Sequence, residues 1–223
     1  PGRGAGPRYR VLYTVPGAGS GGAGRDRPRH ALPDRGDPRR HGDLLMSLHP
    51  TPSEFEARTN ATYAALMWAL SRPGLVRDLP GTGQAQIAEA LIDRECAVHC
   101  NDPELAAHCA RAGAQLVAPA EADHVFLDGA VTPGLVESLR CGSDLYPEDG
   151  ATLIVDADLT SGAPLRLTGP GIDGALTVTV GGLPDGFWAD RARAARYPMG
   201  FELFLLDGAR VMGLPRSTKV EVR

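Results

Sequence analysis

From Ser53 onward, side chains that can face a core return every three or four positions. Phe55, Thr59, Tyr63, Leu66, Met67 and Leu70 make one helical stripe, read here as the side turned to the core. Ser53 followed by Glu56 is a capping box at the start of this helix, and Arg72-Pro73-Gly74 ends it. A second helix is predicted over Gln84–Asp93, burying Ile87 and Leu91. In a third, Asp102 is the N-cap, Pro103 the first helical position and Gly113 the stop. Thr132-Pro133 opens a fourth, ending at Cys141-Gly142. Short strands over Cys96–Cys100, Gln115–Ala118 and Asp123–Leu127 lie between these helices.

After Pro147 the pattern turns to strands. Ala151–Asp156 and Leu165–Thr168 read as the two arms of a half-buried hairpin turning at Ser161-Gly162, with Val155, Leu165 and Leu167 alternating with polar neighbours. Leu176–Val180, Phe201–Leu206, Arg210–Leu214 and Thr218–Val222 are further strands. Pro184–Arg196 is the one helix of this half, with Phe187 and Trp188 on one side and its arginines on the far side. Helices interleaved with strands, followed mostly by strands, predict an α/β fold with a mixed sheet flanked by helices.

Composition changes the picture at the N-terminus. Residues 1–45 are Gly, Arg or Pro at 25 positions and hold nine Arg against four Asp. So few large apolar groups cannot offset the entropy of ordering the backbone, so this stretch is read as a disordered or artefactual extension rather than a nucleic-acid grip. The domain is expected to start at Met46 and run to 223. A chain beginning at Met46 should therefore keep its melting temperature, and a loss of several degrees in thermal denaturation would refute this. The remaining residues hold 14 basic and 23 acidic side chains, an acidic body that argues against nucleic acid as a partner. No apolar run is long enough for a membrane helix, and no charged-then-apolar stretch at the start of the given sequence reads as a signal peptide. The four cysteines are read as reduced thiols of a cytoplasmic protein.

Candidate chemistry is sparse. Gly169-Pro170-Gly171-Ile172-Asp173-Gly174 has the glycine spacing of a dinucleotide loop, but a strand follows where a helix must begin, so it is read as a structural turn. Cys96, His99, Cys100, His108 and Cys109 place five metal-capable side chains close together. Alternation along a strand and the 100° step of a helix send neighbours apart, so these residues are read as core rather than as a zinc site. Asp123 and His124 point opposite ways and form no dyad. Arg216, after Pro215 and before the last strand, and Arg166 on the nearby hairpin are the candidate contacts to an anion or to a partner's carboxylate. An inter-strand salt bridge is the plainer role for both. Lys219 is the single lysine beside 22 arginines, so it alone could form a Schiff base.

Several segments, in their order and spacing, resemble the PhnH family of the bacterial carbon–phosphorus lyase system. They are Ala69-Leu70-Ser71-Arg72-Pro73-Gly74, Tyr146-Pro147-Glu148, Gly150-Ala151-Thr152, the Ala151–Ile172 stretch, Tyr197–Leu203 and Leu214-Pro215-Arg216-Ser217-Thr218. The resemblance covers Met46 to Arg223. It implies a shortened fold-type I pyridoxal-phosphate transferase fold that has lost its cofactor. It also implies work beside the G, I and J subunits of the pathway, with a homodimer when the chain is isolated. That assembly transfers the ribose triphosphate of ATP to an alkylphosphonate and releases adenine, and the chemistry is expected on a partner subunit. Where relatives commonly carry P-x-G-x-Asp, this chain has Glu202, a third candidate contact whose extra methylene sets it apart. Two other readings stay open: a free-standing pyridoxal-phosphate transferase built on Lys219, and a metal-binding module built on the Cys/His cluster.

Overall fold

Ser53 caps helix α1 (Glu54–Ser71) as its sequence requires. The Glu56 backbone N–H donates to Ser53 Oγ at 3.2 Å, and the Ser53 N–H donates to the Glu56 carboxylate at 2.7 Å. The computed structural model describes residues 51–223 apart from Ala130, so the extension expected over 1–45 and the domain start expected at Met46 lie outside the described residues. In chain order the strands are β1 (Val76–Asp78), β2 (Ala97–Cys100), β3 (Gln115–Leu116), β4 (His124–Leu127) and β5 (Thr152–Asp156), then β6 (Asp158–Thr168), β7 (Leu176–Gly181), β8 (Glu202–Asp207), β9 (Arg210–Leu214) and β10 (Lys219–Val222). The remaining helices are α2 (Ala85–Leu91), α3 (Pro103–Arg111), α4 (Leu135–Ser138) and α5 (Phe187–Ala194).

Seven strands form one sheet in the order β1-β9-β8-β5-β4-β2-β3. All run parallel except β9, which is antiparallel to both neighbours. The result is the α/β fold with a mixed sheet and flanking helices that the pattern predicts. Ile154, Phe126, Phe204 and Val211 join Leu66, Ile87 and Cys109 in the core on one face. Leu153, Val155, Leu203, Leu205 and Met212 join Leu165, Leu167 and Phe187 in the core on the other.

The hairpin expected from Ala151–Asp156 and Leu165–Thr168 is not formed. Leu153, Ile154 and Val155 are all fully buried, because β5 is a central strand covered on both faces and paired with β4 and β8. Strand β6 belongs to a second, three-stranded antiparallel sheet, β10-β6-β7. Ser161-Gly162 is not a turn between arms but lies within β6, where the register with β7 shifts between Asp158 and Ala163. Gly162 has φ +98° there, and a Cβ on it would press against the backbone of Val180.

The stripe of α1 is corrected too. Phe55, Tyr63 and Met67 are 51%, 50% and 39% exposed, whereas Thr62, Ala65, Leu66 and Ala69 are buried. The helix turns its small residues to the sheet because it lies against β9 at Gly213. A Cβ there would come within 2.7–2.9 Å of the Ala69 and Leu70 backbone. Large side chains on that face would hold the helix off the strand. The helix expected over Thr132–Cys141 shrinks to the single turn of α4. In β10, Val220 is half-buried and Val222 is exposed.

Candidate functional site

Three proline-marked segments meet at the turn that leads into β10. Arg216 donates its backbone N–H to Glu202 Oε2 at 2.9 Å and its Nε–H to Glu202 Oε1 at 2.7 Å. Its Nη1 donates to the carbonyl oxygen of Pro147. The two charged side chains are only 18% and 19% exposed. Glu202 thus holds the turn with both oxygens, and the pair ties the start of β8 to the segment before β10. Arg166 is not gathered into this group. It faces Glu221 across the β6–β10 ladder at 3.3 Å, an exposed pair in direct register.

Pattern reading missed Arg191, which it put with the other arginines on the far side of the helix. This guanidinium is 3% exposed. It donates to the carbonyl oxygens of Thr218 at 3.0 Å, Pro215 at 2.9 Å and Leu214 at 3.5 Å, and lies 6.0 Å from the ring centre of Phe201. Burial lowers its pKa to about 10, partly offset by the charge of Glu202, so it stays protonated at neutral pH. A signal was present: Arg191 follows Phe187 by four positions, which puts both on one side of α5. Phe187 is itself buried and meets Trp188 edge-on at 5.1 Å. Arg191 and Arg216 therefore pin the Leu214–Thr218 turn from two sides. Between α5 and this turn lies a cleft of about 250 Å³, lined among others by Trp188, Arg191, Tyr197, Arg216, Thr218 and Lys219.

A larger cleft, about 400 Å³, opens at the carboxyl ends of β2, β4 and β5, where open α/β sheets commonly take ligands. Its lining includes Gln84, Asp102, His108, Asp128 and Asp156. Gln84 Nε2 donates to Leu127 O at 2.7 Å and to Asp156 Oδ1 at 3.1 Å. Burial pushes the Asp156 carboxyl up, the Gln84 hydrogen bond opposes this, and the charge of Asp128 adds to it.

The cysteine and histidine cluster divides among separate contacts. Cys100 Sγ and Cys109 Sγ lie 3.9 Å apart, while His99 Nδ1 is 3.1 Å from the carbonyl oxygen of Val117. Among the described residues no three His, Cys, Asp or Glu side chains converge as metal ligands would. Asp123 accepts from the Ala97 N–H at 2.9 Å and from Arg140, and His124 is not its partner. Burial lowers the His124 pKa, with Asp123 and Asp93 opposing. The glycine-spaced turn at Gly169–Gly174 leads into β7, with no helix starting there.

The model of the family described as bacterial phosphonate metabolism protein (PhnH) matches residues 53–221. HtxG of Stutzerimonas stutzeri, described as a C-P lyase subunit protein, is 33% identical over 175 residues, 74% of this chain and 87% of the relative. The alpha-D-ribose 1-methylphosphonate 5-triphosphate synthase subunit PhnH of Rhizobium meliloti (strain 1021) is 30% identical over 187 residues, 75% of this chain and 91% of the relative. No described helix is long and apolar enough to cross a membrane.

Proposed function

This chain belongs to the PhnH family of bacterial phosphonate metabolism proteins, and on that premise we propose that it is an accessory subunit of a carbon–phosphorus lyase assembly. The assembly transfers ribose 5-triphosphate from ATP to an alkylphosphonate, and the chemistry resides on a partner subunit. The observation that carries this reading is the family match across nearly all the described residues, joined to two relatives named as subunits of that system. The chain works in the cytoplasm with subunits of the G, I and J type and forms a homodimer when isolated. Its sheet, with six strands in one direction and only β9 reversed, supports a shortened fold-type I transferase scaffold. Such a scaffold here carries no pyridoxal phosphate. Lys219 sits exposed on the edge strand β10, whereas a Schiff-base lysine works from a desolvated pocket that lowers its pKa.

Docking is supported by edges and charge. Strand β10 pairs with β6 alone, and the backbone groups of an edge strand can take another chain. The acidic body favours a partner with a basic surface. In this reading Arg216 and Glu202 hold the turn that presents β10, and Arg166 with Glu221 faces the same partner. The test is to mix the purified chain with Mg-ATP and methylphosphonate and follow adenine release, with and without the other subunits. Adenine is expected only when the partners are present, and the chain should co-purify with them. Release by this chain alone would sink the accessory reading. Failure to co-purify, under conditions where the partners bind one another, would sink the assembly.

A further inference from the structure

Cys100 ends β2, Asp102 caps α3 with its carboxylate, and the helix then folds back over the strand the chain has just left. The corner between them is pinned, with the Asn101 N–H donating to Phe126 O at 3.2 Å. Leu105 and Cys109 are four positions apart on α3, so both point down onto the sheet, and they are the buried side chains of that helix. Two sulfurs nine residues apart in the chain are thereby placed 3.9 Å from each other. An S–S bond is about 2.05 Å long, so they close with a movement of roughly 2 Å shared between two side chains. The other two cysteines face oxygen instead of sulfur: Cys96 Sγ lies against Leu91 O and Asp93 Oδ1, and Cys141 Sγ against Leu139 O. Cys100 is half-buried and Cys109 fully buried, so a reagent from solution meets Cys100 first.

We propose that Cys100 and Cys109 are a redox pair, oxidised together by a peroxide to a disulfide that staples α3 to the end of β2. Cys100 Sγ attacks one peroxide oxygen and breaks the O–O bond, becoming a sulfenic acid while the second oxygen leaves as water. Cys109 Sγ then attacks the Cys100 sulfur, forming the S–S bond and expelling the sulfenic oxygen as a second water. The two thiols together lose two electrons and two protons, and the peroxide takes them up. A dithiol reductant reverses the change by thiol–disulfide exchange. The contact with Cys109, and then burial, push the Cys100 thiol up, so thiolate is scarce at neutral pH and oxidation quickens as pH rises. The pair therefore answers sustained oxidant and otherwise stays reduced, as cytosolic thiols do. Its consequence reaches the larger cleft. Asp102, Leu105, His108 and Arg111 line that space, so a stapled α3 fixes one of its walls. The chemistry needs no partner subunit, so its outcome is independent of whether the assembly forms.

The test is to treat the full chain with hydrogen peroxide at neutral and mildly alkaline pH, alkylate the remaining thiols in denaturant, and cleave after glutamate. Cleavage after Glu104 parts Cys100 from Cys109, so their fragments stay joined only if a disulfide links them. Joined fragments are expected, with two hydrogens lost from the intact mass and Cys96 and Cys141 alkylated. The link should form faster at the higher pH and separate in dithiothreitol. Cys96 shares a fragment with Cys100, so Cys96→Ser, which should keep the link, identifies the sulfur used. Cys100→Ser should abolish it while keeping the melting temperature in reducing buffer. Hydrogen exchange across α3 should slow several-fold in the oxidised chain. The fragment map of the unaltered chain decides without any variant: four thiols that stay alkylatable, or a Cys100 carried on to sulfinic acid beside a free Cys109, would overturn the proposal. A link that survives Cys100→Ser would overturn it too. Unchanged exchange in α3 despite the link would refute the staple.

Discussion

Replacing Arg191 with leucine is expected to lower the melting temperature by about 6–12 °C, on a scale of about 2–4 °C per kcal/mol for a domain of this size. The size follows from what the side chain holds. Its guanidinium caps the carbonyl oxygens of Thr218 and Pro215 at 3.0 and 2.9 Å, with a weaker contact to Leu214. Leucine removes these bonds from a charged donor where water has poor access, at about 1.5–3 kcal/mol each, although the Pro215 oxygen keeps a second donor, the Thr218 N–H at 2.8 Å. Some of that is returned, since a buried cation that pays for its desolvation no longer has to be accommodated. A net loss of about 3 kcal/mol remains. The comparison residue is Arg193, two positions on, whose ion pairs with Glu137 and Asp190 lie at the exposed surface. Arg193→Ala should leave the melting temperature unchanged within error, because exposed pairs are screened and contribute little. Equal effects from the two substitutions in thermal denaturation would show that Arg191 is not the clamp described above.

The contrast between these two arginines shows how far the sequence could be read. Local chemistry was legible: the Ser53–Glu56 box, the Asp102-Pro103 start of α3 and the strand identities of β4, β8 and β9 all depend on neighbours in the chain. Partnership was not. Leu153, Ile154 and Val155 are a continuous apolar run, the mark of a strand covered on both faces, but the alternation of Leu165 and Leu167 drew β5 and β6 together as one hairpin. The chain instead changes sheets at Ala157, and only the pairing of β5 with β4 and β8 shows it. The stripe of α1 failed for a similar reason. Periodicity places Phe55, Tyr63 and Met67 on one side, but the close approach of Gly213 decides which side meets the sheet. At the site, Arg216 and Glu202 were each singled out, yet their pairing joins positions 14 apart across a turn. The cleft is built from α5 and the segment after Pro215, so no local window contains it.

Gly150→Ala is expected to cost about 3 kcal/mol or more, at or above the usual range for forcing an extra methyl group into packed surroundings. Gly150 has φ −68°, which any residue adopts, so conformational freedom is not why glycine stands there. Space is the reason. A Cβ on Gly150 would fall on the carbonyl oxygen of Gly200, well inside van der Waals contact, and the atom it meets is backbone and cannot rotate away. Gly200 cannot easily yield. Its N–H donates to Cys141 O at 2.8 Å, and the next residue, Phe201, is fully buried. Pushing Gly200 outward carries Glu202 with it, two positions on, and so strains the pair with Arg216 that holds the turn before β10. Gly208→Ala is the control. Gly208 has φ +62° but nothing within 4 Å of its would-be Cβ, so alanine there meets only the left-handed penalty of about 1–2 kcal/mol. Chemical denaturation of both variants, with co-purification on the partner subunits as a second readout, measures the difference. Gly150→Ala should lose more stability than Gly208→Ala and should also lose partner binding, which Gly208→Ala keeps. If Gly150→Ala is the milder of the two, the close approach of the Gly150 and Gly200 backbones does not hold this turn in place.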